Sequence, residues 1–476
     1  MTKVVSLRDV RPVGQGAFIR GQAEIHDISP ITPRRVIRWI YDCGTDHKRE
    51  IIDASVHDLG ASWPTKKKLD VLIISHFDKD HISGLPTLLS RYAFDRILMP
   101  HLPRLVRLLA VVERIEDEAP MRLAHLLAFA DDPVEYIRSN GGGDTEIVLV
   151  NAVEEDEPPV FSDPNPSDAP LDSKTVLNKD LLGEQTYRDV GSEGSVSVVD
   201  SGRAIVFDPS WELIPYVDLE VRKKLLNFDL KFKSRLRYKL RQVLILARKL
   251  TGTNIRISKA DSGASIGKVD VKAKKEMKKA LKQAIYCLKQ AVYEAIEAGI
   301  GTKPTSKHKN AISLMAYMGA TTTNQVACAC TQVEVGVGPE DGDLIDEYAG
   351  DLEKGTGLLL TGDADVTYGG VIDRLVAYMT PRRIQMLGVF QVPHHGSKHN
   401  SSQETADQLS APFNVFNANP QGRHGHPDTE VVDRFSSAVL VNARGFEVVS
   451  VASDDVRCID LHPWCCLRVA NSKFHW

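Results

Sequence analysis

Short apolar runs of strand length, each closing on polar residues, recur along the first 100 positions and again after position 305. Arg38-Trp39-Ile40-Tyr41 runs into Asp42-Cys43-Gly44-Thr45, and Val71-Leu72-Ile73-Ile74 runs into Ser75-His76. These runs predict buried strands, whose C-terminal ends are where layered α/β folds place their sites. Residues 103–140 predict helix, with Leu105, Leu108, Leu109, Val112 and Ile115 at helical spacing. Ile147-Val148-Leu149-Val150 predicts a further strand. Beyond 305 the strand pattern returns in Ile312-Ser313-Leu314-Met315, Gly357-Leu358-Leu359-Leu360 and Val389-Phe390-Gln391-Val392. Residues 446–476, with Trp464 and Trp476, predict extra strands.

Between these parts the pattern changes twice. Residues 151–172 are acidic and Pro-rich, the composition of a surface loop or a disordered stretch. Two helices follow. The first, over about 219–250, carries Leu226, Leu230, Leu236, Leu240 and Leu244 among eleven basic residues. In the second, Met277, Leu281, Ala284, Ile285, Leu288, Ala291, Val292, Ala295 and Ile296 form one apolar stripe, and Lys274, Lys275, Lys278, Lys279 and Lys282 lie mostly off it. Gly299, Gly301 and Pro304 end it. A link rich in Gly, Ser and Thr, 251–271, joins the two. The expected organisation is one α/β domain in two halves, 1–150 and 305–476, the latter with a C-terminal extension. A loop and connecting strands (151–214) and a basic helical insertion (215–304) separate them.

Composition adds charge asymmetry. Of 476 residues 42% are hydrophobic and 26% charged, as in a globular chain with a real core. No apolar run approaches the ~18 residues of a membrane span, and MTKVVSLRDVRPVGQG lacks the apolar centre of a signal peptide, so a cytoplasmic protein without a membrane partner is expected. The seven cysteines are scattered. Cys287, Cys458, Cys465 and Cys466 read as core thiols, and Cys328 with Cys330 has the wrong spacing for a zinc knuckle. The net charge of −4 conceals a basic segment: 221–290 holds 21 Lys and Arg against 4 Asp and Glu. Such asymmetry speaks about partners, not about fold.

The chemistry centres on Ser75-His76-Phe77-Asp78-Lys79-Asp80-His81, which sets four potential metal ligands within six residues directly after an apolar strand. His76 and Asp78 can serve one ion, Asp80 and His81 a second; imidazole with carboxylate suits zinc, manganese or iron better than calcium. A charged surface turn is the plainer reading of that string alone. Three further polar clusters follow: Thr361-Gly362-Asp363 after Leu358–Leu360, Pro393-His394-His395-Gly396-Ser397 after an apolar run, and Gly422-Arg423-His424-Gly425-His426-Pro427. His47, His399 and His424 read as solvated surface histidines.

In order along the chain these residues resemble the metallo-β-lactamase fold superfamily, and within it the hydrolase domain of ComEC-type DNA-uptake proteins and their free-standing relatives. Val13-Gly14-Gln15-Gly16-Ala17 resembles the opening VGQGDA strand and Tyr41-Asp42-Cys43-Gly44 the IDxG strand end. His76–His81 resembles the HxDxDH box, Asn310-Ala311-Ile312-Ser313-Leu314 the NxxSL strand and Leu360–Asp363 the LTGD box. Pro393–Ser397 resembles PHHGS, and Gly425-His426-Pro427 the late GHP. The basic insertion has no counterpart, and the membrane channel of ComEC-type proteins is absent, so hydrolysis is implied and transport is not.

The resemblance implies an αββα sandwich holding two divalent ions, Zn²⁺ or Mn²⁺, that share a bridging hydroxide. His76 and Asp78 are expected at the first ion, Asp80 and His81 at the second, with Asp363 bridging them and His394, in preference to His395, completing the second site. Asp78 stands where many members have histidine, which favours Mn²⁺ more than usual. Asp80, Asp363 and His426 are the expected catalytic residues, His426 meeting the scissile phosphate or protonating the leaving oxygen. Ser313 and Ser397 are expected to donate to phosphate, and Asp42 to orient a ligand histidine.

Such a centre says only hydrolysis, because the superfamily also cleaves lactams, lactones and thioesters. The insertion discriminates. Arg222, Lys223, Lys224, Lys231, Lys233, Arg235, Arg237, Lys239 and Arg241 make a cationic band suited to a polyanion through counterion release, while Tyr238 and Phe232 either stack on bases or belong to the core. The expected function is a metal-dependent nuclease acting on DNA or RNA, in DNA repair or defence against invading DNA. The alternative is a lactone or thioester hydrolase whose insertion docks a partner protein or a second copy. A catalytically idle binding subunit is the third reading.

Overall fold

A computed structural model describes residues 2–27, 32–63, 68–113, 119–141, 143–152, 196–201, 205–218, 235–251, 271–300, 313–321, 328–332, 356–422, 425–441 and 445–453. The chain opens with β1 (Thr2–Val10), β2 (Ile19–Asp27) and β3 (Arg35–Tyr41), then α1 (Arg49–Ser62) and β4 (Lys68–Ile73). A single turn, α2 (Lys79–Ile82), and α3 (Leu85–Arg91) lead to β5 (Ala93–Pro100). Next come α4 (Arg104–Val112), α5 (Pro120–Asp131), α6 (Pro133–Ser139), β6 (Glu146–Asn151) and β7 (Val196–Asp200). β8 (Ile205–Asp208) and β9 (Trp211–Tyr216) precede the long helices α7 (Arg235–Thr251) and α8 (Val271–Ile300). The last part holds β10 (Met315–Ala320), β11 (Cys328–Gln332), β12 (Gly357–Leu360), α9 (Val371–Gln385) and β13 (Leu387–Gln391). It ends with α10 (Gln403–Leu409), β14 (Phe413–Asn417), α11 (Thr429–Val432), β15 (Ala438–Val441) and β16 (Phe446–Ser453).

These strands form two mixed sheets, in the orders β11-β16-β1-β2-β3-β4-β5-β6-β7 and β15-β14-β13-β12-β10-β9-β8. Each is parallel on one flank, from β3 to β7 and from β12 to β15, and antiparallel on the other. Alternate side chains of the second sheet enter different cores, as the two-residue period of a strand requires. Ala316, Met318, Leu358, Leu360, Val389 and Val415 join the core built by the first sheet. Met315, Tyr317, Leu359, Phe390 and Phe416 join a second core with Val371, Leu375 and Met379 of α9, Leu409 of α10 and Val431 of α11. The molecule is therefore α/β, with two sheets sharing one core and helices packed against them. Bidentate pairs tie α9 to β9 and the residues just past it: Arg383 to Glu212, buried, at 2.7 and 2.9 Å, and Arg374 to Asp218, half-buried, at 2.9 and 3.1 Å.

The sequence reading needs correction in four places. The helical stretch 103–140 divides into α4, α5 and α6, because Pro120 and Pro133 stand at helix starts, the one place where a missing N–H costs nothing. Val13–Ala17 is not a strand but the connection between β1 and β2, with Gly14 at φ 72°. Strand β10 begins only at Met315, after Ser313 and Leu314. The segment before the insertion does more than connect: β7 edges the first sheet, and β8 and β9 belong to the second. The insertion hence interrupts the link between β9 and β10, antiparallel neighbours in register from Met315 against Tyr216 to Ala320 against Trp211. β16, beyond residue 446, pairs with β1 along its length and closes the chain onto its own beginning.

Residues 153–172, the link 252–270, Asn310–Ile312, His424 and 454–476 lie outside the described residues, as do Arg222, Lys223, Lys224, Lys231, Phe232 and Lys233. Among the described residues no helix is long and apolar enough to cross a membrane.

One buried histidine away from the strand ends sets an acid limit on the fold. Burial, then the charge of Arg49, lowers the pKa of His125 to about 4, and its Nδ1 lies 2.9 Å from the Tyr136 hydroxyl. The unfolded chain binds that proton near pH 6.5 and the folded chain only near 4, so stability is intact above 6.5 and falls as pH drops between them, by up to ~3 kcal/mol. Urea unfolding of wild type and His125→Gln across this window should show the variant with a shallower loss; identical slopes would remove the role of His125.

Candidate metal centre

The centre is assembled at the C-terminal ends of strands. Asp42 follows β3, Ser75-His76 follow β4, Asp363 follows β12, His394 and His395 follow β13, and Asn417 ends β14. Close backbone approach brings them together. A Cβ on Gly44 would lie 2.4 Å from the carbonyl carbon of Asp80, and one on Gly362 (φ 54°) would lie 2.8 Å from Cβ of Ser75, so only glycine fits at either place. Leu314 N donates to Ser75 O at 2.7 Å, Tyr41 Oη to Leu314 O at 3.0 Å, and His394 N to Gly362 O at 2.9 Å. Asp42, His394 and His395 all take left-handed backbone, with φ of 55°, 48° and 58°. That conformation costs of order 1–3 kcal/mol for a residue with a side chain, and it clusters at functional sites.

Asp78 precedes the single turn α2, and its carbonyl accepts from His81 N and Ile82 N at 3.0 and 3.2 Å. The turn sets Asp80 and His81 side by side, with the His76 and His81 rings 4.0 Å apart. Two groups of ligand atoms result, each within 4.8 Å: His76, Asp78 and Asp363 in one, Asp80, His81, Asp363 and His395 in the other. In the second group His81 Nε2 lies 3.1 Å and His395 Nε2 3.5 Å from Asp363 Oδ1, and His395 Nε2 lies 3.4 Å from Asp80 Oδ2. In the first, His76 Nε2 is 3.7 Å from Asp363 Oδ2, and His394 Nε2 approaches the same oxygen at 3.6 Å. The expected assignment is thus exchanged. His395 joins Asp80 and His81, while His394 sits on the His76 side of Asp363.

The partners of the outer ring nitrogens fix the chemistry of the inner ones. His81 Nδ1 donates to Asp42 Oδ2 at 2.7 Å, His395 Nδ1 to Asn417 O at 2.5 Å and His394 Nδ1 to Asn400 Oδ1 at 2.8 Å. Asn400 is held amide-oxygen-first because its Nδ2 donates to Asp363 O and Ala364 O at 3.3 and 3.4 Å. His76 Nδ1 meets Ser75 Oγ at 2.8 Å, and that hydroxyl donates onward to Asp42 Oδ2 at 2.6 Å. In the neutral form of each of the four rings Nδ1 is therefore the N–H, and Nε2 faces inward as the lone pair. His76 Nε2, His81 Nε2, His395 Nε2 and both oxygens of Asp363 are buried with no hydrogen bond of acceptable geometry. Acceptors facing acceptors in a dry pocket cost several kcal/mol unless a cation lies between them. Their spacing matches: ligands about 2.1 Å from one tetrahedral ion stand about 3.4 Å apart. The donor set fits a divalent metal.

Protons are the other way to relieve this convergence. Burial opposes the charged form of His81, yet Asp363 and Asp42 outweigh it and hold its pKa well above the usual imidazole value. Burial likewise works against the Asp363 carboxylate, yet His394, His81 and His395 hold it well below its usual range. His76 moves the other way, lowered by burial and by His81.

Of the remaining expected residues, Asp42 orients His81 as its position implied. Ser313 is 1% exposed and its Oγ accepts from Asp363 N at 3.2 Å, so it holds the Asp363 loop. Ser397 is 2% exposed, its Oγ accepting from His399 N at 3.3 Å, and it too is turned away from solvent. His426 is half-buried, its ring 5.8 Å from that of His394 and its Nδ1 3.5 Å from Asp428 Oδ2. His399 is exposed as expected. His47 is not a solvated histidine: it is half-buried, its ring packs on Gly14, and its Nε2 lies 3.3 Å from Asn419 Nδ2. Ser75, Asn400 and Asn417 have no place in the sequence reading. The only hint was that Ser75 and Asn417 close apolar strands, since neither serine nor asparagine carries a metal-ligand signature. No protein-family model and no curated protein matches the chain.

Elemental analysis after dialysis should find divalent metal retained by the wild-type chain and lost from Asp363→Ala. Asp42→Asn, which sets an amide against His81 Nδ1, should weaken metal binding about 10–100-fold. Because metal must displace the proton that His81 holds to unusually high pH, affinity should rise as pH climbs through that raised pKa. Affinity independent of pH and of both substitutions would refute the assignment.

Proposed function

We propose that the chain is a metallo-β-lactamase-fold hydrolase using two divalent ions, Zn²⁺ or Mn²⁺, to cleave phosphodiesters in nucleic acid. One observation carries the metal reading: inward-facing Nε2 atoms of four histidines, each fixed by an Nδ1 donor bond, surround a buried aspartate. His76, Asp78 and Asp363, with His394 beside them, are the residues for one ion; Asp80, His81, His395 and Asp363 are those for the other. The ions would supply Lewis acidity towards a phosphoryl oxygen and a hydrolytic nucleophile near neutral pH. The fold supports this reading with two mixed sheets that share a core and meet the centre at their strand ends.

The chain's own residues divide the remaining work. Asp42, Ser75, Asn400 and Asn417 accept from the outer nitrogens and so orient the inner ones. Asp80 and Asp363 present negative charge that offsets the ions. His426, its Nδ1 3.5 Å from Asp428 Oδ2 and its ring beside that of His394, is the residue to protonate the leaving oxygen.

The charge of the insertion supports a polyanionic substrate. Arg235 and Arg237 lie on α7, Arg241 is exposed on it, and Lys239 is half-buried with its Nζ donating to Cys287 O at 3.2 Å. α8 adds exposed Lys275, Lys278, Lys279 and Lys282.

Labelled DNA and RNA incubated with the pure protein in Mn²⁺ or Zn²⁺ should be cleaved. EDTA and Asp363→Ala should abolish cleavage, and His426→Ala should slow it about 10²–10⁴-fold. Hydrolysis of a lactone or thioester with no cleavage of nucleic acid at low salt would overturn the substrate assignment and leave the metal centre standing.

A further inference from the structure

Three of the five large, exposed hydrophobic side chains among the described residues sit on the two helices of the insertion: Tyr238 at 63%, Ile245 at 47% and Tyr286 at 55%. They are not leftovers of poor packing. Leu236, Leu240, Val243, Leu244 and Ala247 of α7 and Leu281, Ile285, Leu288, Val292 and Ile296 of α8 are buried in the main core, so both apolar stripes are already satisfied. Each tyrosine belongs instead to the opposite, charged face. On α7 the exposed set Tyr238, Arg241, Ile245, Lys249 recurs at helical spacing, and on α8 so does Lys275, Lys278, Lys279, Lys282, Tyr286. Lys239 Nζ donates to Cys287 O at 3.2 Å, so the two helices are in contact next to the positions that carry Tyr238 and Tyr286.

A cationic face alone is a solvated surface; aromatic rings exposed within it add flat apolar area that a partner with π-faces can cover. A second copy of this chain would bring the same cations against these cations. A nucleic acid brings phosphates to the lysines and base faces to the rings. In a duplex those base faces are stacked on one another, whereas in a single strand they are free. We infer that the face formed by Tyr238, Tyr286 and the lysines of α8 binds single-stranded DNA or RNA, its bases stacking on the two tyrosines while the cations follow the backbone. This rests on the nucleic-acid reading above and narrows it to single strands, or to the frayed and looped parts of duplexes.

Fluorescence anisotropy of the full chain in EDTA, with labelled oligo(dT), oligo(U) and a DNA duplex, tests it. Oligo(dT) and oligo(U) should bind more tightly than the duplex. Tyr238→Ala with Tyr286→Ala should weaken single-strand binding about tenfold or more, and Phe at both positions should restore it, because stacking needs the ring and not the hydroxyl. The salt slope should be unchanged in the Ala variant, whereas Gln at Lys278, Lys279 and Lys282 should flatten it by up to about 2. Unaltered single-strand affinity in the Ala variant, or a duplex bound as tightly as a single strand, overturns the inference while leaving nuclease action intact. Absence of any nucleic-acid binding at low salt overturns the nucleic-acid reading itself. Sedimentation showing a wild-type dimer that the Ala variant dissociates, with oligonucleotide binding unchanged, assigns the face to self-association and overturns it too.

Discussion

The constraint on which the rest depends is electrostatic: five buried ligand-type atoms, Nε2 of three histidines and both oxygens of Asp363, converge on one another. An isolated carboxylate in such surroundings would be expelled or neutralised. Here it is held, because His394, His81 and His395 surround it, the outer nitrogens of His76, His81 and His395 are bonded to Ser75, Asp42 and Asn417, and the backbone around it is locked by Gly44 and Gly362. The pocket is thereby prepared for positive charge. Much of the hydrogen bonding among the strand-end loops reads as the means of keeping it so.

That preparation crosses the chain. Asp42 and His81 are 39 positions apart, while Tyr41 reaches the Leu314 carbonyl over an interval of 273. The two sheets share one core, so the strand ends of each arrive at the same edge. A chain folded in this way tolerates a long excursion if it leaves and returns at one place. The basic helices do so between β9 and β10, whose ladder runs undisturbed past the insertion point, and they pack their apolar stripes onto the body while Arg241, Lys249, Lys275, Lys278, Lys279 and Lys282 are exposed.

How much of this was legible varies with the physics behind each element. Buried parallel strands were readable at β4, β6, β12 and β13 because a strand covered on both faces is apolar throughout. The apolar stripe of α8 was readable because 3.6-residue periodicity is local. The division of 103–140 into three helices needed weight on Pro120 and Pro133, and the loop at Val13–Ala17 needed weight on its glycines. The assignment of β7 to one sheet and of β8 and β9 to the other was not legible, because pairing partners are chosen by long-range packing and not by the strand's own sequence.

The sequence by itself determined the donor inventory: His76, Asp78, Asp80 and His81 adjacent on one turn, then Asp363, His394, His395 and His426 behind later strands. Chemical type and nearness to strand ends are local properties, written residue by residue. Tertiary structure alone decided which histidine serves which side of Asp363. His395 turns towards Asp80 because Asn417 O accepts a hydrogen bond from its Nδ1, and His394 sits on the His76 side of Asp363 because Asn400 Oδ1 accepts from its Nδ1. It also withdrew Ser313 and Ser397 from the surface and brought forward Ser75 as the link between His76 and Asp42. A side chain's direction depends on what accepts its proton, and those acceptors lie on other strands.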